Sequence, residues 1–252
     1  MKRSRRFLPA LIAGLCCTVA WAGAHQSAET VLVVGATGRT GKLIVPELIT
    51  QGYQVRAFVR DAEKAREVLG PDVALVTGDL TDPSTIAPAL ENVQMVISAV
   101  GAGGGKASPE AVDYQGVKNL AEASAAADVQ QIVLLSSMGV THEDHPLNKM
   151  FSNVLIWKAR GEQAVRDSGV PYTIVRPGGL VNEPADGGKV VGIQGDPRLD
   201  SAVIPRADVA KVCVAAIAEP AARNKTLEII REDGEPVADW GGFFAALTAD
   251  KN

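Results

Sequence analysis

The chain has 252 residues, 46% of them hydrophobic, which is enough for one α/β domain with a sizeable core. Only 4% of the residues are aromatic and charges of both signs are present, so nothing in the composition indicates a disordered or fibrous chain. The formal net charge of −4 argues against a general nucleic-acid-binding protein, and we expect no nucleic-acid partner.

The first 24 residues have the three-part layout of a secretory signal peptide. "MKRSRR" carries four positive charges, an uncharged apolar run of 16 residues follows, and "AGA" at 22–24 offers small residues for a signal peptidase. The run is shorter than the roughly 20 residues of a membrane-spanning helix. We therefore predict a signal peptide over 1–24, one domain over 25–252, and an exported, periplasmic protein without a stable membrane span after cleavage. A retained membrane anchor and an organelle transit peptide are the alternatives.

The signal also bears on the export route and on the cysteines. "SRRFL" resembles a twin-arginine signal, which carries folded proteins, but Phe7 follows Arg6 without the usual intervening residue. Twin-arginine export and ordinary secretion are therefore both compatible with the sequence. Cleavage would leave Cys213 as the one cysteine, so the mature chain could form no internal disulfide and no cysteine metal cluster. The helical pattern around Cys213 predicts a small core residue.

After residue 28, short β-rich runs alternate with longer helical patterns. Near-continuous runs of Val, Ile and Leu are typical of strands covered on both faces, as in a parallel sheet. The alternation predicts a doubly wound, Rossmann-like α/β fold in a single domain with a small C-terminal substrate region. The predicted strands are 30–36, 54–60, 73–79, 94–101, 131–137 and 172–178.

The motif "VLVVGATGRTGKLIVPEL" places three glycines at the first strand–helix turn. Gly35 allows a tight exit from the strand, Gly38 lets the backbone approach a pyrophosphate, and Gly41 lets the helix pack on the sheet. The N-terminus of the following helix offers free N–H groups and a partial positive charge. We expect this loop to bind a dinucleotide through Gly35, Thr37, Gly38, Arg39, Thr40 and Gly41.

The end of the second predicted strand bears on which dinucleotide binds. An NAD site usually has Asp or Glu there for the ribose 2′-hydroxyl, whereas this strand ends at Arg60. Arg60 and Arg39 together suit a 2′-phosphate, because guanidinium groups make bidentate, charge-assisted hydrogen bonds to phosphate. We therefore predict NADP as the cofactor. Asp61 is expected to begin the next helix.

Several motifs together resemble the atypical branch of the short-chain dehydrogenase/reductase superfamily, the NAD(P)-binding group that contains biliverdin/flavin reductase-like proteins. The motifs are "GATGRTG", "GDLTD", "LLSSMG", "WKARGEQAVRDSGVPYTIVRPGGL" and "IPRADVAKV", and the resemblance covers roughly residues 30–248. The resemblance implies further cofactor contacts at strand ends: Asp79, Leu80, Ala99, Val100, Gly101, Ser136, Pro177 and Gly178.

The resemblance also implies a place for the catalytic Tyr-x-x-x-Lys pair, on the long helix after the fifth strand. Lys158 occupies the lysine position there, but Val154 stands where the tyrosine should be. Lys158 is expected to bind the nicotinamide ribose. Tyr114 and Lys118 have the correct spacing but precede the fifth strand, so we expect them to take no part in catalysis.

Other residues could supply the proton that Val154 cannot. The resemblance implies that Ser137 has the family's polar position near the nicotinamide. Ser137 and Lys158 are therefore the predicted catalytic residues, although a serine without an adjacent base is a poor acid. His142 and His145 lie in the following loop, and histidine is the side chain that most often transfers protons in enzymes. "HPLNK" nevertheless predicts a structural helix entry capped by Asn148. No convincing third metal ligand accompanies the histidines, and we expect no metal.

Two classes of function fit these residues. The first is an NADPH-dependent oxidoreductase that transfers hydride to a small conjugated acceptor such as a flavin or quinone. Such an acceptor can take its proton from solvent. The second is a noncatalytic NADP-binding module with a redox-responsive or assembly role. Sugar-nucleotide epimerisation is a distant third, because Val154 removes the base that it needs.

Overall fold

A computed structural model describes residues 29–102, 107–184, 187–199 and 202–251. The predicted signal peptide lies outside the described residues. The strands are β1 Thr30–Val34, β2 Gln54–Val59, β3 Ala74–Thr77, β4 Met95–Ser98, β5 Gln131–Leu135, β6 Tyr172–Pro177, β7 Gly179–Val181, β8 Lys189–Ile193, β9 Val203–Pro205 and β10 Lys225–Glu232. The helices are α1 Gly41–Thr50, α2 Ala62–Leu69, α3 Ile86–Ala89, α4 Val117–Ala126, α5 Pro146–Met150, α6 Val154–Asp167, α7 Arg206–Ala218 and α8 Trp240–Ala245, and a π-helical segment, Glu110–Gly116, leads into α4.

Eight strands form one sheet in the order β3-β2-β1-β4-β5-β6-β10-β8. Neighbouring strands are parallel except β8, which runs antiparallel to β10. β7 and β9 pair in a separate two-stranded sheet. The predicted doubly wound parallel sheet is confirmed, and each of the six predicted strands is present. The order of strands reverses between β1 and β4, the point at which such a sheet binds ligands beyond its carboxyl ends.

Successive side chains of β1 belong to two separate core layers, because neighbouring residues of a strand point to opposite faces. Val31 and Val33 pack in the layer that contains α1 and α7. Leu32 and Val34 pack in the layer that contains α3, α4 and part of α6. Burial of such a side chain contributes about 1.5–3 kcal/mol, so both faces of the central strand are strongly stabilised.

Cys213 confirms its predicted place in the core. It is fully buried in α7, and burial raises the pKa of its thiol to about 12. Among the described residues it is the one free cysteine.

Two helix starts show how local polar groups set element boundaries. Asp61 caps α2 by accepting a hydrogen bond from the Lys64 N–H at 3.0 Å, as predicted. The predicted cap of α5 is wrong, because the His145 ring accepts from the Leu147 N–H at 3.2 Å. Asn148 instead caps the next helix: its side-chain oxygen accepts from the Leu155 N–H of α6 at 2.9 Å. The sequence could not show this, because the capping residue is seven positions before its donor.

No helix within the described ranges is both long enough and apolar enough to cross a membrane.

Candidate functional site

A cleft of about 210 Å³ opens at the carboxyl ends of β1, β2, β3 and β4. It lies at the reversal of strand order, where the fold places its ligands. Predicted cofactor residues from four separate segments meet in its lining: Gly35, Thr37, Gly38, Arg60, Asp79, Leu80, Ala99, Val100 and Gly101.

The glycine loop forms a cradle that side chains would fill. Gly35 has a φ of +79°, and a Cβ there would lie 2.7 Å from the Ala99 carbonyl oxygen of the neighbouring strand end. A Cβ at Gly41 would collide with the carbonyl of Gly35. No described residue accepts a hydrogen bond from the N–H groups of Arg39, Thr40 or Gly41, and the first turn of α1 has no acidic residue. The loop therefore fits the diphosphate of a dinucleotide.

The two arginines predicted to share one phosphate lie in different surroundings. Arg60 lines the cleft beside Asp79, whose pKa is lowered first by the Thr81 N–H bond and further by the Thr81 hydroxyl and the charge of Arg60. Arg39 is exposed and lies within electrostatic range of Arg206 at the start of α7. Burial lowers the pKa of Arg206, and the charge of Arg39 lowers it further. Arg60 is therefore the arginine that the cleft itself presents.

The predicted cofactor residues at the ends of β5 and β6 differ in their contacts. Ser136 is buried, and its hydroxyl has no hydrogen-bond partner among the described residues. Ser137 donates its hydroxyl to the Met138 carbonyl at 3.0 Å. The carbonyl of Pro177 accepts from the Met138 N–H, and a Cβ at Gly178 would lie 2.7 Å from the Ala202 carbonyl. The lining of the cleft, as far as the structure describes it, contains neither Pro177 nor Gly178.

Lys158 meets a partner that the sequence analysis missed. Its amine lies 2.8 Å from Oδ1 of Asp113, whose side chain is 1% exposed. The Ala102 N–H donates to Oδ2 of the same carboxylate at 3.0 Å. A Cβ at Gly101 would lie 3.6 Å from Asp113 Oδ1 and 3.8 Å from the Lys158 amine, so the ion pair is at the edge of the cleft.

The π-helical segment and a glycine of α6 bring this pair together. A π-helix, with i→i+5 hydrogen bonds, is wider than an α-helix and is frequently found at functional sites. Asp113 occupies the middle of the segment, and a Cβ at Gly161 would collide with the Asp113 carbonyl. The small residue therefore lets α6 approach closely enough for Lys158 to reach Asp113. No signal in the sequence marks Asp113, because the burial of a carboxylate cannot be read from the residues around it.

A family model described as NAD(P)H-binding matches residues 35–220. The chain belongs to this NAD(P)H-binding family. Sanguinarine reductase of Eschscholzia californica is 33% identical over 87% of the chain and 96% of its own length. An uncharacterised chloroplast protein of Arabidopsis thaliana is 37% identical over 90% of the chain and 78% of its own length. A Bacillus halodurans structure described as an NAD-dependent epimerase/dehydratase superposes with a TM-score of 0.77 and 26% identity, over 87% of the chain and all of its own.

These comparisons confirm the resemblance to atypical short-chain dehydrogenases/reductases and establish an NAD(P)H-binding oxidoreductase fold. Within the family match lie the glycine loop, Arg60, Asp113 and Lys158.

In this NAD(P)H-binding protein, Tyr114 and Lys118 lie away from the cleft. The Tyr114 ring stacks on Trp157 of α6 with 6.1 Å between centroids. Lys118 forms an exposed ion pair with Glu122 at 3.7 Å. Both residues line a groove between α4 and α6. Tyr114 and Lys118 therefore lie outside the lining of the dinucleotide cleft.

The two histidines contact backbone groups, His142 in the loop between β8 and β9 and His145 at the start of α5. His142 Nε2 lies 2.8 Å from the Asp196 carbonyl oxygen, and His145 caps α5. Among the described residues, no group of three His, Cys, Asp or Glu side chains could hold a metal ion.

Proposed function

We propose that the protein is an NADPH-dependent oxidoreductase that reduces a small conjugated acceptor. The observation that carries the proposal is the Lys158 amine at the edge of a glycine-lined dinucleotide cleft, with a valine, Val154, one turn earlier on α6. The 33% identity to a protein named as a reductase of sanguinarine supports the reduction of a small acceptor.

Each part of the cleft has a role in this proposal. The glycine loop holds the diphosphate, Arg60 holds the 2′-phosphate, and Lys158 holds the nicotinamide ribose. When bound, NADPH supplies a hydride to the acceptor. A flat acceptor stacked on the nicotinamide reacts through proximity and orientation, and the protein's part is to place it there.

The test is NADPH oxidation with a panel of flavins, quinones and dicarbonyls, with nucleotide binding measured in parallel. Turnover with at least one conjugated acceptor is expected. Tight NADPH binding without turnover of any acceptor would contradict the proposal and favour the noncatalytic NADP-binding module.

NADP is the proposed cofactor because Arg60 lines the cleft and Asp61, which follows it, is engaged as the cap of α2. We expect NADP+ to bind at least about tenfold more tightly than NAD+, a difference of about 1.4 kcal/mol. Arg60→Ala should remove most of that preference in calorimetric titrations. Lys64→Ala, which removes an exposed positive charge from α2, is the matched control and should keep it. Equal affinities of the wild type for the two nucleotides would rule out NADP selection.

A further inference from the structure

Two buried polar residues, Asp113 and Ser136, and the partly buried Lys158 lie beside the cleft. Asp113 and Lys158 form their ion pair with side chains 1% and 16% exposed. The Ser136 hydroxyl at the end of β5 has no hydrogen-bond partner among the described residues. Apart from the Lys158 amine, no donor in the described chain reaches Oδ1 of Asp113. Buried polar atoms without partners cost about 1–3 kcal/mol each, so a ligand for them is expected.

A cavity of about 10 Å³ lies between these groups. Its lining combines the three polar residues with an apolar wall: Val100, Asp113, Val117, Leu134, Leu135, Ser136 and Lys158. A volume of about 10–15 Å³ is what one water molecule needs, provided that it also finds two to four polar partners. Val100 also lines the dinucleotide cleft, so the small cavity adjoins that cleft.

The chain maintains this arrangement against its physical cost. A buried carboxylate is strongly unfavourable unless it is paired and hydrogen-bonded, and Asp113 has both the Lys158 amine and the Ala102 N–H. The π-helical turn and the glycine at position 161 are both needed to bring the partners together. The Lys158 amine that contacts Asp113 at 2.8 Å belongs to a residue that also lines the cavity.

We infer that Asp113, Lys158 and Ser136 hold one water molecule, and that this water gives the reduced acceptor its proton, the role for which Val154 is unsuited. The inference rests on the proposed function. After the acceptor has gained a hydride and carries negative charge, the water O–H bond breaks and its proton goes to the acceptor. A Lys158 N–H bond breaks in turn, its proton restores the water, and solvent reprotonates the amine through the cleft. Asp113 acts through Lys158 and is a positioning residue.

A high-resolution crystal structure tests the water directly, without any turnover. We expect one ordered water within hydrogen-bond distance of the Ser136 hydroxyl and of the Lys158 amine or Asp113 carboxylate. Ser136→Ala should lose or displace it. An empty cavity in the wild-type crystal would overturn the inference.

Kinetics test the proton transfer. Asp113→Asn, which preserves shape and removes charge, should lower kcat by about a hundredfold, the scale of general acid catalysis, while KM for NADPH changes by less than about threefold. Ser136→Ala should act in the same direction, which keeps the test available should Asp113→Asn fold poorly. Ser124→Ala removes another buried hydroxyl without a partner, on α4, and should leave kcat unchanged.

The outcomes separate the two claims. Wild-type turnover with unchanged kcat in both Asp113→Asn and Ser136→Ala would overturn the water as proton source but not the proposed function. A wild type that binds NADPH and reduces no acceptor would overturn both. Equal losses of kcat and nucleotide affinity, measured by calorimetry with NADP+, would assign Asp113 a structural role and also overturn the inference.

Discussion

Two lysines on neighbouring helices differ in what surrounds them. Lys158 on α6 pairs with a buried carboxylate at the edge of the cleft. Lys118 on α4 pairs with a carboxylate that is 64% exposed. Exposed ion pairs contribute about 0–1 kcal/mol, whereas loss of one partner of a buried pair costs several. The same residue type therefore has two different consequences for stability and binding.

This contrast gives a matched prediction. Lys158→Ala should weaken NADP+ binding about fivefold, equivalent to about 1 kcal/mol, and should also lower the thermal midpoint because Asp113 stays buried without its cation. Lys118→Ala should change neither quantity measurably. Calorimetric titration well below the unfolding transition separates the two effects. Equal nucleotide affinity in both variants would show that Lys158 does not contact the cofactor.

Single residues of the site could be predicted from the sequence only where a motif marks the position. Gly35, Gly38 and Arg60 lie at or just after strand ends that β-branched runs reveal, and all three line the cleft. Asp113 was missed because its burial depends on a π-helical turn and on a lysine 45 positions later, neither of which has a local signal.

At the scale of elements, one aspartate joins two loops on the substrate side of the sheet. Asp196, between β8 and β9, accepts hydrogen bonds from the Gly139 N–H at 2.6 Å and from the Thr141 N–H and hydroxyl at 2.9 and 2.8 Å. Burial alone would raise the pKa of Asp196, but these bonds and the charge of Arg176 outweigh it, and the pKa is lowered. The loop after β5 is thereby fixed to the loop between β8 and β9.

The lowered pKa predicts an acid-dependent loss of stability. Because the folded-state pKa is below the unfolded value of about 3.9, the ionised Asp196 stabilises the fold above that pH and loses this effect as the pH falls through the folded pKa. Asp196→Ala should cost about 2 kcal/mol at pH 7, since it leaves buried donors without an acceptor. Urea unfolding should show this difference from wild type shrinking below about pH 4.

Asp144→Ala is the control for that experiment. Asp144 pairs with Arg198 at 2.6 Å, but both side chains are largely exposed. We expect no measurable change in the urea midpoint at pH 7. A gap between Asp196→Ala and wild type that persists undiminished in acid would contradict the assignment.

At the scale of the whole molecule, a buried charge network joins the last strands to α6 and to the C-terminal residues. Arg176 of β6 makes two bonds to Glu162, at 2.9 and 2.6 Å, and one to Glu228 of β10 at 2.9 Å. Burial lowers the pKa of Arg176, but the two carboxylates outweigh it and raise the pKa. Nearby, Asp250 accepts from the Tyr172 hydroxyl at 2.9 Å, and burial with this bond raises the pKa of Tyr172 to about 12.

Loss of one carboxylate from this network should destabilise the whole fold. Glu162→Ala is expected to lower the free energy of unfolding by about 3–5 kcal/mol and the thermal midpoint by about 10 °C, because Arg176 stays buried with one partner fewer. Glu122→Ala, on the exposed face of α4, should lower the midpoint by less than about 2 °C. A similar loss in both variants, followed by differential scanning calorimetry, would contradict a special role for the network.

The overall architecture could be predicted because strands buried on both faces are continuous apolar runs, and helices separate them at regular intervals. β7, β8, β9 and β10 were missed. β7, β8 and β9 have three to five residues and their pairing depends on distant partners. β10, Lys225–Glu232, has eight residues, but charged residues interrupt its apolar run. The antiparallel pairing of β8 with β10, for example, joins residues 35 or more positions apart in sequence.

The reactivity of the Cys213 thiol can be used to measure how often α7 leaves the core. A fully buried thiol whose pKa is raised to about 12 can react with a disulfide reagent only when α7 leaves the core. With Cys16 and Cys17 replaced by serine, the labelling rate of Cys213 should report how often the core around α7 opens. A nucleotide that binds only the folded state, at 100 times its Kd, should slow labelling about a hundredfold. Labelling that NADP+ leaves unchanged would mean that α7 detaches while the nucleotide cleft stays intact.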